Sequence, residues 1–246
     1  MIRSHRLAVL VALALLAGFG GREAAAGPVY GTPVAPAYFL SGNTRSSNDP
    51  NQLITFGDYT GGAVETLTWE IADLGNDTWS YRYIFTGFTP AVSHLILELS
   101  YDAVYDEAGD LSPDPLAVDD PEENGVDFPS GDVIFGTYGP ASGNPGFPAG
   151  TSIVGVKFDN LGSSPLTIEF LSNRAPVWGN VYAKGGKSSL WNTGLQNLSS
   201  SDIQNFIARP NGGSVTSVPE PATLASTALG LVFAAIVRFR RRTASV

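Results

Sequence analysis

Alternation with a period of two constrains this chain more than any other feature. In ETLTWEI, Leu67, Trp69 and Ile71 fall on one side of an extended backbone. In WSYRYIF, Trp79, Tyr81, Tyr83 and Phe85 do the same, and in HLILELS, Leu95, Leu97 and Leu99 do. Successive side chains of a strand point to opposite faces, so each run is a strand with one face to bury. DVIFGTY (132–138), SIVGVKF (152–158), LTIEFL (166–171) and VWGNVYA (177–183) are further runs rich in β-branched and aromatic residues. Gly, Pro, Asn and Asp separate them. Seven to eight or more such strands predict an all-β, antiparallel β-sandwich. One segment reads as a short helix: in SDIQNFIAR (201–209), Ser201 can cap, Gln204 can reach back, and Pro210 stops the chain.

The two ends do not share this pattern. Arg3 and Arg6 precede an uncharged run from Leu7 to Phe19, and Ala24-Ala25-Ala26 follows. A basic start, an apolar stretch and small residues have the order of a secretory signal peptide, with Ala24, Ala26 and Gly27 framing the cut by signal peptidase. The expected organisation is a signal helix in 1–26, a β-sandwich domain over 27–210, a flexible linker NGGSVTS at 211–217, and a separate segment from 218 to 246.

Charge excludes one class of partner. Of 14 Lys and Arg and 23 Asp and Glu, seven basic and two acidic residues lie outside 27–217, which leaves that span at −14. Such a field repels nucleic-acid phosphates and suits cations or neutral glycans. Cysteine is absent, which removes thiolate chemistry, lipidation on an N-terminal cysteine and any disulfide.

Candidate chemistry is sparse. Asp102 to Asp132 and GPASGNPGFPAG (139–150) read as loops, the first acidic and the second rich in Gly and Pro. VDDPEENGVD places Asp119, Asp120, Glu122, Glu123, Asn124 and Asp127 within ten positions, an oxygen-rich stretch that would suit calcium although it lacks the EF-hand order. Outside the first 26 residues His94 is the only histidine, expected half-exposed beside a carboxylate and opposite the leucine face. No G-x-S-x-G elbow occurs, and KGGKSS (184–189) lacks the first glycine of a phosphate loop. Carboxylate pairs of the kind that hydrolyse glycosides cannot be recognised from sequence, because their separation decides the chemistry. Trp178, Tyr182 and Trp191, if exposed, could stack on sugar rings.

The segment VPEPATLASTALGLVFAAIVRFRRR (218–242) is the most specific motif. Val218-Pro219-Glu220-Pro221 is followed by sixteen uncharged residues, Ala222 to Val237, and then by Arg238, Arg240, Arg241 and Arg242. As a helix the apolar run would be about 24 Å long, short of a bilayer core of about 30 Å. The arginines sit where a cytoplasmic flank belongs. In this order the motif, apolar span and basic cluster resemble the PEP-CTERM sorting signal of Gram-negative exported proteins. The resemblance implies transient passage through the inner membrane, processing by an exosortase, and deployment at the cell surface or in an exopolysaccharide matrix. RAPVWGNVYAKGGK (174–187) and FIARPNG (206–212) also resemble stretches that recur in such proteins. The expected role is structural or adhesive and not enzymatic, with no cofactor beyond a possible calcium ion. A carbohydrate-binding module and a secreted glycan hydrolase or lyase are the alternatives.

Overall fold

The alternating runs become paired strands. A computed structural model of the chain describes residues 27–99, 118–129, 131–141 and 143–211, and the expected signal helix and the sorting segment 218–246 lie outside them. Numbered in chain order, the strands among the described residues are β1 (Thr44–Ser46), β2 (Leu53–Phe56), β3 (Thr66–Gly75), β4 (Thr78–Thr86), β5 (His94–Glu98), β6 (Asp119–Glu123) and β7 (Val126–Asp127). They continue as β8 (Val133–Tyr138), β9 (Ile153–Asp159), β10 (Leu166–Ser172), β11 (Pro176–Gly179), β12 (Val181–Gly185), β13 (Ser188–Asn192) and β14 (Ile207–Pro210). One six-stranded sheet has the order β1-β3-β4-β10-β6-β7, and a second has β2-β13-β12-β5-β9-β8. β11 and β14 form a pair of their own, and the ladders are antiparallel.

Register explains the core. Leu67 faces Phe85, Trp69 faces Tyr83 and Ile71 faces Tyr81, so the apolar sides of β3 and β4 coincide. Leu166, Ile168 and Phe170 of β10 extend that face. From the second sheet Leu95, Leu97, Val156, Phe158, Val181, Ala183 and Leu190 enter the same buried cluster. Phe158 and Phe170 stack across the layers with ring centres 5.9 Å apart. The architecture is mostly β, antiparallel and sandwich-like.

The middle of the second sheet is buried on its other face too. Ile96, Ile153, Tyr182 and Trp191 form a further cluster with Phe147 and Leu195, covered by the 139–150 loop. The Tyr182 hydroxyl donates to Pro145 O at 2.7 Å. Gly146 has φ +68°, and a Cβ there would stand 2.7 Å from Ser189 Oγ. Only glycine lets the loop lie this close to the sheet.

Three expectations are corrected. The helix expected at 201–209 is a 3-10 turn at Ile203–Asn205 followed by strand β14. Asp202, and not Ser201, accepts from Gln204 N. Ile207 and Ala208 are fully buried in the core, and pairing with β11 outweighs a local capping signal. The acidic stretch 119–127 is a hairpin and not a loop. Its turn is Asn124-Gly125, both at positive φ (51° and 78°), the geometry that Asn-Gly favours between two strands. Finally, VWGNVYA breaks at Asn180 into β11 and β12.

Candidate functional site

The break at Asn180 lies beside the most unusual chemistry of the domain. Where a chain changes sheets, its backbone groups lose ladder partners and must find others. Asn180 N and Nδ2 donate to Glu98 Oε2 at 2.7 and 2.8 Å, and Val181 N donates to Asn192 Oδ1 at 2.8 Å. Glu98, a carboxylate only 6% exposed, also accepts through Oε1 from the Tyr30 hydroxyl. Its Oε2 lies 3.8 Å from Nε of buried Arg209. A Cβ on Gly179 would sit 2.2 Å from Arg209 Nε, so glycine makes room for the guanidinium stem. Burial and the neighbouring Glu98 push the Tyr30 hydroxyl well above its ordinary range, and it stays a protonated donor.

A second buried arginine fastens the same region. Arg45 Nε donates to Phe206 O and Nη2 to Ile203 O, both at 2.8 Å. Its guanidinium lies 4.7 Å from the Trp69 ring centre and 5.7 Å from that of Trp178. Burial lowers its pKa to about 10, opposed by Asp202 and Tyr38, which leaves it charged at neutral pH. Neither Arg45, Arg209 nor Glu98 emerged from sequence reasoning. A charge within an apolar alternating run, as Glu98 is in HLILELS, was the available signal.

The acidic hairpin is built differently. Asp120, Glu122 and Asp127 bring carboxylate oxygens within 4.8 Å of one another. Asp119 and Glu123 are not part of that group; Glu123 Oε1 accepts from Gly162 N at 2.9 Å. Asn124 is spent on the turn, exchanging hydrogen bonds with the backbone of Thr167. The trio extends a lateral row across the exposed face of the sheet, in which Glu70 pairs Arg82, Arg82 pairs Glu169, Glu169 pairs Glu122, and Glu122 pairs Asp127. Arg82 bonds Glu70 and Glu169 at 2.9 and 2.7 Å. Three carboxylates offer up to about six oxygens, so these residues could hold a divalent cation. Next to the hairpin, a cavity of about 270 Å³ is lined by Asp127, Phe128, Asp132 and Asp159 among others.

The expected sugar contacts are corrected by burial. Trp178 is 3% exposed, Tyr182 0% and Trp191 6%. Their faces meet protein: Trp178 packs edge-on to Trp69, and Tyr182 lies against Phe147. His94 is likewise not half-exposed but 7% exposed. In register it sits between Lys184 and Asp159. Burial, with Lys184 and Lys157, lowers its pKa from 6.5 to about 4 against the opposing pull of Asp159 and Asn144. It is neutral at pH 7 and covered by the 139–150 loop.

Gly27 is exposed backbone at the start of the described residues, whereas Ala24, Ala26, Val218, Pro219, Glu220, Pro221 and the four arginines lie outside them. Among the described residues no helix is long and apolar enough to cross a membrane. No family model, curated protein or solved structure matches the chain.

Proposed function

We propose that the chain is the precursor of an exported, non-enzymatic β-sandwich protein of the cell surface or exopolysaccharide matrix, released from its signal peptide near Gly27 and processed by an exosortase at its PEP-CTERM-like tail. One observation carries this reading: Pro219-Glu220-Pro221, an uncharged span of sixteen residues and an arginine cluster follow one another after the linker 211–217, behind a domain whose last described strand ends at Pro210. The buried state of His94 supports a structural role, because a general base must reach a substrate proton. The burial of Trp178, Tyr182 and Trp191 weighs against the carbohydrate-binding alternative on those residues.

Replacing Glu220 with Ala tests the sorting step. In a host with a cognate exosortase, the parent chain yields a mature species whose intact mass lacks both ends, and Glu220→Ala accumulates as a membrane-held species that keeps its tail. Identical masses for parent and variant would overturn recognition of this motif.

A further inference from the structure

Strand β11 has one partner on each edge, and those partners are the first and last segments of the described domain. On one edge Gly31 N donates to Trp178 O at 2.8 Å, Trp178 N to Thr32 O at 3.0 Å, and Val34 N to Pro176 O at 3.0 Å, with Pro33 bridging Val177 in antiparallel sense. On the other, Pro176 to Gly179 pair with Pro210 to Ile207, and Asn211 N donates to Ala175 O at 2.9 Å. Backbone groups of successive strand residues face opposite edges, which is why Trp178 serves the first segment while its odd-numbered neighbours serve β14.

Both flanking segments run antiparallel to β11 and are therefore parallel to each other. The chain enters this three-strand array at the Gly179 end and leaves it at the Pro176 end. Tension between the two ends of the domain drags the flanking segments in opposite directions along β11. Every hydrogen bond of the array is then loaded together. Pulling apart the two neighbouring ends of one antiparallel pair breaks bonds one after another instead.

A single carboxylate crosses the array. Glu98 accepts from Tyr30 of the first segment through Oε1, and its Oε2 faces Arg209 of β14. β14 is further pinned to the first sheet by the Tyr83 hydroxyl, which donates to Ala208 O at 2.9 Å, and the residue before it by Arg45, through Phe206 O. We propose that the array of residues 31–34, β11 and β14, tied through Glu98, is a force-bearing clasp that keeps the domain folded under tension applied between its N-terminal end and the chain that follows Asn211. This goes beyond export, since it assigns the domain a load path whatever its tail is attached to.

The test is single-molecule force spectroscopy on the full chain. Cysteine is absent from the sequence, so introduced cysteines serve as unique handles. Gly27→Cys with Gly212→Cys loads the array along its strands; a Cβ at Gly27 meets nothing within 4 Å. Asn173→Cys, at an exposed position beside the Pro176 end of β11, with Gly212→Cys opens the β11–β14 ladder from that end. The first geometry should unfold at higher force, with a rate at fixed force about tenfold or more below the second. Tyr30→Phe, which removes only the hydroxyl bound to Glu98, should raise the rate about tenfold in the first geometry and leave the second unchanged. Equal rates in the two geometries would overturn the clasp, as would an equal effect of Tyr30→Phe in both, which would mean a general contribution to stability. The comparison of geometries in the parent decides the matter even where the variant fails to fold, and neither readout depends on sorting.

Discussion

Carboxylates meet arginine both on the sheet face and in the interior of this domain, and the two settings differ in almost every physical respect. On the sheet face Arg82 lies between Glu70 and Glu169 with all three side chains about two-fifths exposed (42%, 41% and 44%). In the interior Arg209 faces Glu98 with side-chain exposures of 2% and 8%. Water stabilises the separated ions at the surface nearly as well as the pair does. Inside, neither charge can return to water, so each depends on the groups arranged around it. The closer contact is thus the less consequential one: 2.7 Å at the surface against 3.8 Å within.

The largest expected effect follows from the interior pair. Glu98→Ala removes the acceptor for Tyr30, the partner of Asn180 N and the counter-charge of Arg209. Denaturant unfolding should show a loss of about 3–5 kcal/mol, with the midpoint lowered and the slope unchanged. A loss below about 1 kcal/mol would mean that the buried pair behaves like the exposed one, and the contrast would fail.

Next comes His94, a buried group without net charge. Its folded pKa of about 4 lies below the ordinary 6.5, so the unfolded chain binds the proton more readily. The contribution of the neutral imidazole is complete above about pH 6.5 and is lost as pH falls toward 4. After allowance for solvent screening the loss is about 1–2 kcal/mol. Subtracting the pH dependence of His94→Gln from that of the parent isolates it from titrating carboxylates. A difference curve that is flat between pH 7 and 4 would show that the histidine is not held neutral by its surroundings.

These two residues also mark where the sequence was legible. Alternation located β3, β4 and β5, whose regular apolar faces meet in one core, and runs rich in β-branched and aromatic residues located β8, β9 and β10. Alternation even placed His94 on the face opposite the leucines, the face that Glu98 shares. It could not show that this opposite face is covered, since the cover comes from far along the chain: Phe147 and Pro145 of the 139–150 loop meet Ile96 and Tyr182, and Tyr30 and Arg209 meet Glu98. The same blindness hid Trp178, Tyr182 and Trp191 within the protein. The 201–209 segment misled because its capping pattern is local, whereas the partner that makes it a strand, β11, lies some thirty residues upstream. The hairpin at 119–127 was readable from Asn124-Gly125, a signal outweighed by the surrounding acidity.

The acidic hairpin sharpens the comparison on its exposed side, because there like charges adjoin without an arginine between them. Glu122→Gln relieves repulsion from Asp120 and Asp127, and without divalent ions it should stabilise the domain by about 0.5 kcal/mol. If Asp120, Glu122 and Asp127 take calcium, millimolar calcium should raise the melting temperature of the parent and leave Glu122→Gln with Asp127→Asn unmoved. Equal melting of the parent in calcium and in chelator would leave the trio as a solvated acidic edge.

Arg82 provides the smallest effect and the strictest control. Its pKa is raised, with the hydrogen bond to Glu70 the largest cause, opposed by burial and reinforced by the hydrogen bond to Glu169. That shift describes a guanidinium already charged at any ordinary pH, so it adds no pH dependence near neutrality. Arg82→Ala frees Glu70 and Glu169 into water, where each is well solvated, and the cost should be at most about 1 kcal/mol and should shrink further in concentrated salt. Glu169 would then face Glu122 across the ladder with no cation beside it, so part of the cost measured at low salt is repulsion along the row. A double mutant of Arg82→Ala with Glu122→Gln separates the two: if repulsion dominates, the second substitution restores most of the loss. A salt-independent cost of several kcal/mol would instead place Arg82 with Arg209, among the charges on which the fold depends.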